Sequence, residues 1–242
     1  LSPEAKDKLL EEAINGVMDY LANEGLEAPD VFKQTCDKKV VDKVMHQVLL
    51  GNEVDFVARD DPGMATAVLW ECLTTLSYKH FPSSLLETLS EDQRKYEQLG
   101  DAAAQGAFRR TFITACNNRT VSQMFVNLLG LLNLITKHSN ENGATALVVS
   151  DVFAGLAVSD ASKAGSTFEQ QRALRKAASV IRVLVEEIYL MFPQPDQPQP
   201  EAPSQPSQPA TSSSVQQQPV PSTSVSPDAG KASDATAASK KN

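Results

Sequence analysis

Apolar side chains recur at three- and four-residue steps along most of the first 192 residues, a period that predicts helices rather than strands. Leu10, Ile14, Val17 and Leu21 form the first such face. It is introduced by Ser2-Pro3-Glu4, in which a hydroxyl can accept a free N–H, a proline suits the first helical position, and an acid sits near the positive end of the dipole. Gly25 is the expected stop. Asp37 is expected to cap a second helix with Val41, Val44 and Val48 facing inward and Gly51 at its end. Asp60-Asp61-Pro62 then opens a third, with a stripe of Leu69, Cys72 or Leu73, and Leu76.

Pro82 and the polar run from Ser90 to Gln98 read as a connection that holds a short helix at Ser84 to Leu89. An Ala-rich helix is expected from Asp101 to Cys116. The signal is strongest from Val121 to Lys137, where Met124, Leu128, Leu131, Leu132 and Ile135 share one side with few charges, which argues for deep burial. Two further helices follow, at Ala146 to Val158 and at Phe168 to Phe192. The last carries Leu174, Ala178, Ile181, Val185, Ile188 and Phe192 as its inward stripe. No segment alternates long enough to compete as a strand, so the expected class is all-α.

Composition changes this picture at one end. Of 14 prolines, those at 193, 195, 198, 200, 203, 206, 209, 219, 221 and 227 all follow Phe192, and bulky apolar residues nearly vanish there. The expected organisation is a helical domain at residues 1–192 and a disordered Pro/Ser/Gln-rich tail at 193–242. The tail is nearly balanced in charge, so most of the net charge of −8 falls on the domain. An acidic domain without a basic stripe is a poor phosphate binder, which argues against nucleic acid and anionic membrane as partners. Cys36, Cys72 and Cys116 are odd in number and widely spaced, a pattern of reduced thiols in the cytoplasm rather than a disulfide frame. Nothing in the chain reaches the ~18 apolar residues of a membrane span. The chain begins at Leu1 rather than Met and is expected to be a piece of something longer.

Local motifs supply no catalytic constellation. His46, His80 and His138 have no ligand spacing around them and read as surface or satisfied core histidines, so no metal is expected. There is no glycine-rich phosphate loop and hence no expected nucleotide or other cofactor. Asn118-Arg119-Thr120 fits a glycosylation acceptor by chance. In the tail, PxxP spacings from Pro195 to Pro209 could present a polyproline II face, but the basic residues that orient such ligands are missing until Lys231.

A recognisable stretch lies between the first two helices. Pro29-Asp30-Val31-Phe32-Lys33-Gln34-Thr35-Cys36 resembles the loop that carries the catalytic arginine in GTPase-activating domains for Rho-family GTPases, the RhoGAP family. The family pattern is Gly-Ile-Phe-Arg, one residue, then Ser or Thr. Asp61 with the helix Ala65 to Leu76, the run His138-Ser139-Asn140-Glu141-Asn142, and Val152-Phe153 resemble later family segments in order and spacing. The family fold is all-α, in agreement with the periodicity.

The resemblance also implies which positions should face a GTPase. The arginine finger falls on Lys33, the helix lysine on Trp70, the helix arginine on Thr74, and an asparagine that helps hold the GTPase on Val148. The family's Pro-Glu-Pro reads Ser77-Tyr78-Lys79 here. A finger arginine supplied in trans contributes roughly 10³ to 10⁵ in rate, or about 4 to 7 kcal/mol of barrier. Lysine keeps the charge and loses the planar fork. Lys33 therefore reads as an ordinary solvated lysine or a degenerate finger, and Trp70 as a partly buried helix residue or a binding anchor. The expectation is a catalytically impaired RhoGAP-like domain that binds Rho-family GTPases weakly, or endocytic and signalling adaptors. It looks most like the inactive C-terminal domain of Lowe-syndrome-type inositol polyphosphate five-phosphatases. The alternative is a working Rho activator with Lys33 at the finger position. Either would be cytoplasmic and recruited to membranes through partners or an upstream domain.

Overall fold

The computed structural model describes residues 1–32, 36–77, 80–100, 102–158 and 166–193. Among them the regular elements are all helical: α1 (Pro3–Asn23), α2 (Lys38–Leu49), α3 (Pro62–Thr75), α4 (Ser83–Leu99), α5 (Ala102–Asn117), α6 (Gln123–Lys137), α7 (Ser139–Asn142), α8 (Ala146–Ala157) and α9 (Thr167–Met191). The class is all-α, as the periodicity required.

Side chains start most of these helices. Ser2, Asp37, Asp61, Ser122 and Thr145 accept the free N–H groups at the heads of α1, α2, α3, α6 and α8, each cap contributing roughly 1 kcal/mol. Ser166 and Glu169 close a reciprocal capping box at α9. Gly51, Gly100 and Gly143 take the left-handed conformation after α2, α4 and α7, which a side chain would strain. Gly25 acts differently from the expected cap. Its φ is not positive, and a Cβ there would lie 3.0 Å from Leu21 Cα, so close approach to the preceding turn favours glycine.

Two expectations are corrected. The polar run Ser90 to Gln98 is not a connection but the second half of α4. Leu85, Leu86 and Leu89 are buried and Gln93 continues that face inward, its Nε2 donating to Ser179 Oγ (2.6 Å) and to Glu97 Oε1 (3.0 Å). Outside, Arg94 forks onto Glu91 (2.8 Å) and reaches Gln98 (2.8 Å), pairs that support an exposed helical face. Leu174 is the second correction, since it is 40% exposed. The inward face of α9 keeps Ala178, Ile181, Val185 and Ile188 of the expected stripe and is completed by Ala177, Val180 and Leu184.

Helix α9 packs against α8, α6 and α4, and α1 packs against α3, α6 and α2. Both α8 and α9 present small side chains in the core, Ala154 and Ala157 on one and Ala177 and Ala178 on the other. Helix α6 is buried most deeply. Leu128, Leu129 and Leu132 are essentially inaccessible, and each such side chain contributes about 1.5–3 kcal/mol by leaving water. An aromatic cluster of Phe81, Phe112, Phe125 and Phe192 closes one region of the core, with Phe81 and Phe125 centroids 5.6 Å apart. His80 stacks on Phe125 and places its ring nitrogens 3.4 Å from Ser122 Oγ and the Leu73 carbonyl, so it is a satisfied core histidine.

Candidate functional site

The loop after α1 is held in shape by the core. Asp30 adopts φ 53°, the left-handed conformation, at the place where the RhoGAP pattern has glycine. Aspartate tolerates that conformation better than most residues. The turn sends Val31 inward, where it is fully buried, and leaves Phe32 partly covered. The Val31 carbonyl accepts from Thr66 Oγ1 on α3 (3.0 Å), a hydroxyl that also lies 3.0 Å from the Gly63 carbonyl.

The other side of the loop is secured by Asn142, which is 1% exposed at the end of α7. The Asn142 carbonyl accepts from the Asp30 N–H (3.0 Å). Its amide Nδ2 donates to the carbonyls of Leu26 (2.6 Å) and Ile135 (2.9 Å), and its Oδ1 accepts from the Ala144 N–H (2.7 Å). One buried side chain thereby joins the end of α6, the start of α8 and the segment entering the loop. The sequence marked Asn142 as part of a family segment without indicating this role.

Three aromatic rings link the loop to the helices behind it. Phe32 meets Phe153 edge-to-face at 5.4 Å, and Trp70 meets the same Phe153 at 5.9 Å, contacts that add to area burial. Trp70 is half-buried on α3 and fits against a glycine of α8: a Cβ on Gly155 would lie 3.5 Å from its Cη2. Phe153 is thus the hub that places the Trp70 position beside the loop.

The remaining candidate positions join this cluster less directly. Thr74 is exposed, and its hydroxyl lies within hydrogen-bonding distance of the Trp70 and Glu71 carbonyls of its own helix (3.0 and 3.1 Å). Val148 lies in the first turn of α8, half-buried, beside the 57%-exposed Leu147. Ser77 N–H donates to Asp7 Oδ1 (3.1 Å) and the Ser77 hydroxyl to Asp7 Oδ2, which ties the end of α3 to α1. Lys33, with Gln34 and Thr35, lies outside the described residues, as do Tyr78 and Lys79.

No activated nucleophile emerges from the thiols. Burial pushes Cys72 up to about 12 and Cys116 up to about 11, and burial followed by the charges of Asp61 and Asp37 raises Cys36. All three therefore stay protonated near neutral pH. Among the described residues no cluster of three metal-ligating side chains occurs, and no helix is long and apolar enough to cross a membrane.

The helical domain matches solved RhoGAP and BH domains in fold. The human Rho GTPase activating protein 15 matches with a TM-score of 0.62 at 15% identity, over 74% of this chain and 82% of that one. The BH domain from GRAF, the GTPase regulator associated with focal adhesion kinase, matches with a TM-score of 0.57 at 14% identity, over 76% of this chain and 94% of that one. No protein-family model and no curated protein matches the sequence. The likeness lies in the fold.

Proposed function

We propose that this chain is a RhoGAP-fold interaction domain that binds Rho-family small GTPases weakly, or adaptor proteins of signalling and membrane traffic, with little or no acceleration of GTP hydrolysis. The observation that carries this reading is Trp70. At the position matched to the family's helix lysine, an indole sits edge-on to Phe153, so no charge is offered to a GTPase there. Thr74 supplies a hydroxyl directed to its own helix in place of an arginine fork, and Val148 supplies no amide. Lys33 keeps a positive charge at the finger position and lacks the bidentate geometry of arginine. In this reading the half-buried Trp70 serves a partner as an aromatic anchor, and Lys33, Thr74 and Val148 are the other partner-binding positions.

A second reading, a working activator of a Rho-family GTPase, is favoured by the intact loop support. Val31, Phe32, Thr66 and Asn142 hold the residues before the finger position against α3, α7 and α8. The two readings separate in single-turnover GTP hydrolysis by Rho, Rac and their relatives with the wild-type chain, Lys33→Arg and Lys33→Ala. Interaction without catalysis gives wild-type rates within a few-fold of intrinsic hydrolysis and no change in Lys33→Ala. Lys33→Arg then gains little, because several positions act together. A wild-type acceleration of about 10³, abolished by Lys33→Ala, would establish the activator and overturn the proposal.

A further inference from the structure

A second feature shares no residue with the surface assigned above. Helices α4, α5 and α9 line a hollow of about 280 Å³. The buried Phe108, the half-buried Val183 and the 40%-exposed Tyr96 give it apolar surface. Its charges are mostly committed. Glu187 accepts from Gln105 Nε2 (2.7 Å) and from the Arg109 guanidinium (2.8 and 3.1 Å), and Arg182 lies 3.6 Å from Glu97 Oε1. Two carboxylates thus meet two guanidinium groups. Glu186, which is exposed, has no ion-pair partner among the described residues.

Gln93 supplies an independent observation. It lines the hollow and is 5% exposed. Its Nε2 lies 2.6 Å from Ser179 Oγ, 3.3 Å from the Ser179 carbonyl and 3.0 Å from Glu97 Oε1. A carbonyl and a carboxylate can only accept, so the amide nitrogen must be the atom on that side and the oxygen the atom on the other. Among the described residues Gln93 Oε1 accepts from no group. Unlike the Tyr20 hydroxyl and Asn133 Oδ1, it is not closed to solvent. In a side chain so thoroughly covered, with its nitrogen turned to Ser179 and Glu97, the hollow is where that oxygen opens.

This combination selects a ligand. The free lone pairs of Gln93 Oε1 call for an N–H or O–H donor, and the carbonyl together with Glu186 repels an anion. With the other charges paired, one positive charge is accommodated. The rings of Tyr96 and Phe108 suit a flat apolar body. A volume just under the usual range for ligand cavities, about 300–1,000 Å³, suits a single ring rather than a nucleotide. We infer that the hollow binds a small aromatic ligand headed by one cationic N–H donor group of the amidinium type, with the head on Gln93 Oε1 and Glu186 and the ring against Tyr96, Phe108 and Val183.

The test is titration of the ¹⁵N-labelled full chain with benzamidine, with benzamide as the neutral donor and benzoate as the anion. The expected result is a saturable shift of the Gln93 side-chain amide and the Val183 backbone amide by benzamidine, with benzamide at least about tenfold weaker and benzoate without effect. Glu186→Gln, on the exposed edge, should weaken benzamidine about tenfold, the scale of a contact to a charged group. Gln93→Met, which removes the oxygen, and Val183→Phe, which fills the space, should abolish the shifts, and thermal melting shows whether each is folded. If neither folds, Glu186→Gln and the ranking of the three probes decide. Benzamide or benzoate binding as tightly as benzamidine, undiminished binding in Glu186→Gln or in a folded Gln93→Met, or no saturable shift at all, the oxygen then being met by water alone, would overturn the inference.

Discussion

Replacing Asn142 by alanine removes three side-chain hydrogen bonds at one buried point, those to Leu26, Ile135 and Ala144. Each contributes about 1 kcal/mol net, and a buried group left unpaired costs about 1–3 kcal/mol. The Ile135 carbonyl keeps the His138 N–H as a partner (3.1 Å), whereas Ala144, 2% exposed, loses the acceptor of its N–H. Asn142→Ala should therefore destabilise the domain by about 2–4 kcal/mol. At a urea slope of roughly 2 kcal/mol per M, that lowers the midpoint by about 1–2 M. Emission of Trp70, the only tryptophan, follows the transition from beside the loop.

Asn142→Asp sharpens the test. It keeps the acceptor for Ala144 and turns a carboxylate oxygen toward the Leu26 and Ile135 carbonyls, so at neutral pH it should be at least as damaging as alanine. Its folded-state pKa would be raised, so the penalty grows as pH rises through the unfolded value and recedes below it. A loss under about 0.5 kcal/mol for Asn142→Ala, with an unchanged slope, would refute the claim that this side chain holds the loop and the α6–α8 junction together.

Other expectations follow from burial and charge. Leu128→Ala, at a site with no exposure, should cost about 2–5 kcal/mol in urea denaturation, and a loss below ~1 kcal/mol would contradict its central placement. We propose that residues 193–242 form a separate tail that does not support the domain. Chain ending at Phe192 should accordingly melt within about 1 °C of the full chain, and a drop of several degrees would show that the tail packs on it. Hydrogen bonds from Ser77 hold the Asp7 carboxyl below its ordinary value of 3.8. A lowered folded-state pKa contributes stability that is present above the unfolded value and lost as pH falls through the folded one. Ser77→Ala should therefore flatten the acid limb of the stability profile, and an unchanged limb would remove Asp7 from the account.

Helix identity was legible where an apolar stripe and a cap coincided, as in α1, α2 and α3, and from the stripe alone in α6. The second half of α4 was not, because Gln93 is a polar residue facing inward, and its bond to Ser179 on a helix 86 residues away helps make that placement favourable. Leu174 misled for the converse reason: helical spacing gives a face, but the contacts made by the neighbouring Ala177 face decide which way the helix turns. At the candidate site, Val31-Phe32 and Val152-Phe153 could be read by resemblance, and Phe153 does join Phe32 to Trp70. The clamp at Asn142 could not, since its amide reaches a carbonyl 116 residues away. A left-handed Asp30 was hidden for a simpler reason, that aspartate usually adopts negative φ, whereas a glycine there would have signalled a positive one.

Thr66 has one hydroxyl proton and two carbonyls at the same distance, Val31 of the loop and Gly63 of its own helix. Rotating that single O–H moves the bond from one to the other without displacing a heavy atom. On the Asn142 side, by contrast, the amide has a separate proton for each carbonyl and an oxygen for Ala144, so nothing there can be exchanged. The α3 side is thus held by an exchangeable proton together with the burial of Val31 and the Phe32–Phe153 contact, and the α7 side by an amide with every polar atom committed.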